Sequence, residues 1–483
     1  MWQKLRLFFY NHRSWVYTLQ YVFYSLLVLI LVLAIDFRWL PIGPYLPSFI
    51  STSVELAKSI LSTLAGALLT ITTFTFSTIL AVLTLYSANY TPRSIENFAQ
   101  KRITMKVLGI FIGGFFYSIS ALAMMRDSFG ESRVTAGLVA VLYSVVCVIY
   151  FIIFVQRVIR SVQPANLVQD IFAESSEILA AEVSRRRSMP QTGSAPGLKI
   201  LAPRSGYLAL IDSQALLRKL EGQEVLVSIE RRIGEYILKG ERLGYLYFTA
   251  DRNRLPEEAQ TIRSSDVQDL AGYLSGEAYQ RSLLLPGKEG QEGQEAALKA
   301  LSAGAQKLFH LASEAFILQA EKVGFEDYRH GLQKLSEISL RALSPGINDP
   351  ATAVHCIRKM SILLSRLALV DPYHVLLASE GGCQIFCSSY RLEEDLYSLL
   401  WPILHYGQED LQIALTLMEA LGIIRHSASR ENYQTVCDFR QAVLGLLEKS
   451  LERTEWDYLQ RVLSHQEQLL DSPSPHEAQV QRG

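Results

Sequence analysis

The sequence lacks the local patterns that mark most enzymes. It has no G-x-x-x-x-G-K-[ST] phosphate loop, no G-x-S-x-G elbow and no cluster of His, Cys and carboxylates at metal-ligand spacing. Those absences argue against nucleotide hydrolysis, serine acyl transfer and zinc chemistry, so no enzymatic activity, metal or cofactor is expected. Cysteine is scarce, at five of 483 residues, and Cys383 and Cys387 have no second cysteine pair nearby. Net charge is almost absent too, at 46 − 47 = −1. Charge is missing altogether from four stretches, 17–35, 59–88, 107–125 and 134–156, none of which holds Asp, Glu, Lys, Arg or His. A transmembrane unit without an ionisable residue inside its spans is a poor proton pump or proton-coupled carrier.

The near-neutral total is a cancellation. Residues 1–160 hold 13 Lys/Arg and 5 Asp/Glu, hence +8, and the remainder holds 33 against 42, hence −9. The acidic half offers phosphate backbones no electrostatic footprint, so no nucleic-acid partner is expected. The four uncharged stretches each approach the roughly 20 apolar residues that cross a bilayer core of ~30 Å, and they predict four transmembrane helices with the lipid bilayer as surroundings. The first is followed by Asp36-Phe37-Arg38-Trp39 rather than by a small-residue cleavage site, which reads as a retained anchor. Basic residues gather before the first helix (Lys4, Arg6, Arg13), between the second and third (Arg93, Lys101, Arg102, Lys106) and after the fourth (Arg157, Arg160). That bias predicts an inner (plasma) membrane protein with both termini cytoplasmic.

The second helix is unusual. The chain runs from Ser59 to Pro92 without a charge, 34 residues or roughly 50 Å of helix, which exceeds the bilayer core. Thr63, Thr70, Ser77 and Thr84 recur every seven residues and share a face, with Thr73 beside them. Two readings fit that stripe. One is packing, with each hydroxyl bonded back to its own helix. The other is a pore lined by uncharged hydroxyls from several copies. Gly109 and Gly113 in the third helix form a GxxxG pair, with Gly114 adjacent, and favour close packing there.

Two separated motifs carry a resemblance. The segment Thr75-Phe76-Ser77 through Ser87-Ala88-Asn89-Tyr90-Thr91-Pro92-Arg93, followed by Asn97-Phe98, resembles the end of the second helix in the bacterial membrane proteins grouped as domain of unknown function 2254. The run Arg341-Ala342-Leu343-Ser344-Pro345-Gly346-Ile347-Asn348-Asp349-Pro350 is similar to that family's most distinctive motif. Thr91 stands where a Ser is expected, and Glu337-Ile338-Ser339 replaces an Asp-Ile-Ala-like stretch. The resemblance implies an integral membrane protein with a cytoplasmic C-terminal region and no established activity. It singles out Tyr90, Pro92 and Arg93 at the membrane junction.

The C-terminal half begins with an amphipathic helix over 164–187, with Leu167, Ile171, Ile178 and Leu179 on one side and Arg185-Arg186-Arg187 at its end. Those arginines either sit on anionic headgroups or close a solvated helix. Residues 189–197 are a linker. A small β module is expected over 201–250, with strands at 206–212 and 224–229 and a hairpin at 234–244. It looks like the barrel-sandwich pattern of biotinyl and lipoyl domains, but Lys239 lacks the Met-Lys-Met-like or Asp-Lys-Ala-like setting of a modified lysine. A connecting segment over 251–295 leads to a domain expected to be helical over 296–470, followed by a tail over 471–483. Within it, Pro345-Gly346 end one helix, and Asp349 and Pro350 start the next. That structural account stands beside a functional one, in which Arg341, Ser344, Pro345, Gly346, Asn348 and Asp349, with His355 one turn on, form a ligand or interface site.

The expected architecture is therefore a transmembrane domain over 1–160, a helix and linker over 161–200 and an α+β cytoplasmic region. The expected function is an oligomeric, channel-like pore for ions, lined by Thr63, Thr70, Thr73, Ser77 and Thr84, with a cytoplasmic assembly or gating domain. The alternative is a non-conducting membrane-anchored regulator or scaffold whose cytoplasmic domain binds a protein or ligand.

Overall fold

The computed structural model describes residues 6–9, 13–37, 39, 52–89, 102–125, 134–161, 163–190, 198–220, 225–248, 315–322, 324, 326–370 and 373–470. The chain divides into two compact units, Phe8–Asp170 and Ile171–Gly483, the latter together with Met1–Leu7.

The first unit contains α1 (Arg13–Asp36), α2 (Val54–Asn89), α3 (Arg102–Met124) and α4 (Ala136–Ser161). Each includes a segment long and apolar enough to cross a membrane. Half of the α3 segment is buried, against about a fifth of the others, because α3 packs on all three neighbours. Its glycines explain why. A β-carbon at Gly109 would stand 2.8 Å from the Thr18 carbonyl of α1, and one at Gly114 would stand 2.7 Å from the Tyr143 ring of α4. The expected close packing at this GxxxG pair is therefore what the helices do. Two tyrosine hydroxyls find partners inside the bundle: Tyr143 donates to the Ile110 carbonyl at 2.9 Å and Tyr117 to the Ala136 carbonyl at 3.1 Å. Where α1 ends, Asp36 accepts hydrogen bonds from the Thr135 amide (2.8 Å), the Thr135 hydroxyl (2.7 Å) and the Ala136 amide (3.2 Å). The last residue of one apolar helix thus caps the first turn of another.

Helix α5 (Pro164–Arg185) runs from the first unit into the second. The second unit continues with β1 (Leu198–Leu201), β2 (Gly206–Ile211), α6 (Ser213–Lys219), β3 (Val225–Ile229), β4 (Tyr236–Ile237), β5 (Arg242–Phe248) and β6 (Phe316–Gln319). Then come α7 (Tyr328–Ala342), α8 (Pro350–Ala368), β7 (His374–Glu380), β8 (Cys383–Ser388), α9 (Leu392–Leu399), α10 (Trp401–Gly407), α11 (Leu411–Ser427), α12 (Arg430–Ser450) and α13 (Arg453–Leu470). The helix starts are written in the sequence. Asp212, Asp327, Asp349, Asp410 and Ser429 each accept a backbone amide of the following first turn.

The strands form two sheets, a five-stranded one in the order β1-β5-β3-β8-β7 and a three-stranded one in the order β4-β2-β6. All pairs are antiparallel except β3 with β8. One apolar core serves both sheets, including Leu208 and Phe316 from one and Val227, Leu246 and Ile385 from the other.

Three expectations are corrected. The segment 234–244 is not a hairpin, because β4 pairs with β2 and β5 pairs with β1 and β3. Gly240, at φ 80°, turns the chain from one sheet to the other. The region beyond 296 is not wholly helical, since β6, β7 and β8 lie in it; 296–314 fall outside the described residues. Gly381 and Gly382, both at positive φ, form the β7–β8 turn, and Cys383 and Cys387 that follow are buried, unpaired strand residues. Finally, Arg186 rests neither on headgroups nor in solvent. It is 4% exposed, with Nη2 3.0 Å from both Glu182 and the Ser389 hydroxyl.

Candidate functional site

Three groups of residues compete for function, and each is set by its element. On α2, one face is used for packing: Ala57, Leu61, Ala65, Leu68, Thr75, Ile79 and Val82 are buried. Their spacing of three, four and seven residues leaves the opposite face pointing out of the unit. Thr63, Thr70, Thr73, Ser77 and Thr84 all lie on that exposed face. The four threonine hydroxyls bond back along the helix, Thr63 to the Ser59 carbonyl (2.9 Å), Thr70 to Gly66 (2.9 Å), Thr73 to Leu69 (3.0 Å) and Thr84 to Leu80 (3.0 Å). These four donors are consumed, so at their positions the stripe presents oxygen lone pairs outward. Tyr90, Pro92 and Arg93 lie outside the described residues.

The loop between α7 and α8 is held by its own backbone. Asn348 donates its amide to the Ser344 carbonyl (2.9 Å), and Asp349 donates its amide to the Ala342 carbonyl (2.9 Å). Asp349 then accepts the Thr352 amide (3.1 Å) and hydroxyl (2.5 Å), with Pro350 in the first turn of α8. Ser344 donates its hydroxyl to the Arg341 carbonyl at 2.6 Å. Asn348 sits at φ 49°, in the left-handed region that Asn tolerates better than most residues. Arg341, Pro345, Gly346 and Asn348 are exposed. Burial, with the charges of Lys359 and Arg358, holds His355 below the usual imidazole value, so it is neutral at pH 7.

The third group was not legible in the sequence, because its members are up to two hundred residues apart. Asp395, fully buried, receives the Tyr328 hydroxyl at 2.6 Å and pairs with Arg329 Nε at 2.7 Å. Burial pushes the Asp395 carboxyl up to about 6, against the pull of Arg329 and Tyr328. The Arg329 guanidinium lies 3.8 Å from the Tyr390 ring centre, and Arg232 lies 4.6 Å from the same ring. Arg232 also makes a two-pronged pair with Glu394. Beside this network is a cavity of about 40 Å³ whose lining includes Arg185, Arg232, Asp327, Ser389 and Tyr390. The cavity-lining thiol of Cys387 is pushed up by burial, then by Glu182 and Glu235, and is not a nucleophile at neutral pH.

The α2 stripe belongs to the Phe8–Asp170 unit, and the α7–α8 loop and this buried network belong to the Ile171–Gly483 unit. Among the described residues no group of three His, Cys, Asp or Glu side chains is placed to hold a metal ion.

A family model described as "Predicted membrane protein (DUF2254)" matches residues 11–269 and 284–422. The chain is similar to the uncharacterized protein Mb1321c of Mycobacterium bovis and the uncharacterized protein Rv1290c of Mycobacterium tuberculosis. Each is 22% identical over 330 residues, covering 65% of this chain and 52% of the relative. The chain thus spans about half the length of the curated relatives it matches. No solved structure matches.

Proposed function

This chain belongs to the DUF2254 family of predicted membrane proteins, and from that premise we propose that it is an oligomeric, channel-like pore of the inner (plasma) membrane. One observation carries the reading. The 36-residue α2 turns an uncharged, hydroxyl-striped face outward instead of burying it in its own unit. Several copies arranged about an axis would place Thr63, Thr70, Thr73, Ser77 and Thr84 along a common path, a lining of neutral oxygens suited to ions in transit. Both termini are assigned to the cytoplasm from the basic loops, so the Ile171–Gly483 unit assembles or gates the pore from that side. Purified protein in liposomes is expected to conduct, and Thr70→Leu or Ser77→Leu is expected to reduce conductance. A strict monomer in detergent, or the absence of conductance in any condition, would remove the reading.

The second reading is a non-conducting, membrane-anchored regulator or scaffold. It is supported by the exposed Arg341–Asp349 loop and the polar cavity, both of which lie in the Ile171–Gly483 unit. A monomeric chain that still binds a ligand or protein through that unit would favour it.

A further inference from the structure

The charges facing the cavity of the Ile171–Gly483 unit differ in how fully they are engaged. Glu182 is bound to Arg186 at 3.0 Å. Arg232 is clamped on Glu394. Asp327 pairs with Lys322 at 3.4 Å while it caps α7 through the Arg329 amide. Two charges are left almost unengaged. Arg185 makes one bond among the described residues, from Nε to the Ala181 carbonyl at 3.1 Å, which leaves both terminal nitrogens available. Glu326 has one ion pair among them, at 3.7 Å to the exposed Arg6, of a kind worth little in water. The cavity therefore carries one loosely held cation and one loosely held anion, and Ile233, Val375 and Leu377 supply an apolar wall.

We propose that this cavity binds a small zwitterion of the free α-amino-acid class, its carboxylate toward Arg185 and its ammonium toward Glu326. A lone anion would satisfy Arg185 but bring its charge against Glu326, Asp327 and Glu182. A lone cation would meet the opposite problem at Arg185 and Arg232. A zwitterion engages both loosely held groups and transfers no net charge out of water, which is the least costly way to fill a polar, half-enclosed space. About 40 Å³ is room for roughly three water-sized groups, so the two charged ends fill the space and the rest of the ligand lies toward its open side. The apolar wall gives the amino-acid side chain a surface to lie on. This inference is independent of whether α2 lines a pore.

The test is thermal unfolding of the full chain in detergent. The probes are a mixture of the α-amino acids with uncharged side chains, the same mixture N-acetylated (anion only) and the same mixture as methyl esters (cation only). The zwitterionic mixture is expected to raise Tm by a few degrees through preferential binding to the folded state, and the one-charge mixtures are not. Arg185→Gln and Glu326→Gln are each expected to abolish the shift while leaving the unliganded Tm close to that of the parent. No shift, equal shifts from an acetylated or esterified mixture, or a shift that survives both substitutions would overturn the proposal. If a substitution lowers Tm by itself, the comparison of the three mixtures on the parent chain still decides.

Discussion

Gly113 of α3 lies so close to Ser25 of α1 that a β-carbon on the glycine would stand 2.2 Å from the serine hydroxyl. That hydroxyl is itself 2.6 Å from the Tyr143 hydroxyl of α4, so three helices meet at this one point. Gly113→Ala should destabilise the membrane unit by about 1–3 kcal/mol, the usual cost of overpacking. Ser25→Gly should recover part of that loss in the double variant. Unfolding of the detergent-solubilised protein measures both, and a Gly113→Ala chain as stable as the parent would show that the helices are less closely packed than this.

Asp395 should make the Ile171–Gly483 unit more stable in mild acid. Its folded pKa, about 6, lies above the unfolded carboxylate value near 3.9, so the native state binds the proton more tightly. Its contribution is fully present below about pH 4 and is lost as pH rises through about 6. Between pH 7 and pH 5 this one group should add roughly 1 kcal/mol. Other carboxylates titrate in the opposite sense, so the quantity to compare is the change in Tm from pH 7 to pH 5 in the parent and in Asp395→Asn. Equal changes in the two proteins would refute the assignment.

What the sequence allowed one to read depended on range. The four apolar spans, the GxxxG contact and the cap at Asp349 are local signals, and each appears where it was expected. The strands β6, β7 and β8 were missed because Phe316–Gln319 is only four residues long and β7–β8 sits between strongly periodic helices. Its Gly381-Gly382 turn was the one available cue. The Asp395 network was beyond reach for a different reason. Tyr328, Arg329 and Asp395 are ordinary residues of amphipathic helices until folding buries them together, and no spacing announces that.

The α7–α8 loop separates a backbone role from a side-chain role. Asp349→Ala removes the cap of α8 and should cost about 1 kcal/mol. Asn348→Gly keeps the left-handed turn, at φ 49°, while deleting the side chain, and should leave stability unchanged. Asn348→Val should cost about 1–2 kcal/mol at the same position. If the loop serves only to join two helices, conductance or ligand binding should follow stability through all three variants. Loss of either in Asn348→Gly at an unchanged Tm would instead mark the exposed Asn348 side chain as a contact residue.

Phe74 offers the sharpest test of the pore. At 100° per residue, Ser59, Thr63, Gly66, Thr70, Phe74, Ser77, Ala81 and Thr84 fall within about 40° of one line down α2. Seven of these eight are small or hydroxylated, and Phe74 is the exception, 59% exposed and near the middle of the uncharged run. Its ring centre is 6.3 Å from that of Phe151 on α4. If α2 faces an axis, a ring of Phe74 side chains is the narrowest and driest point along it, where water is expelled and ions stop. Phe74→Ala should raise conductance several-fold in liposomes, and Thr70→Leu, one turn away on the same line, should lower it. Opposite responses from neighbouring positions are hard to obtain from a packing defect, which would lower both. A Phe74→Ala protein that conducts no more than the parent would mean that the aromatic side chain faces lipid and that the path lies elsewhere.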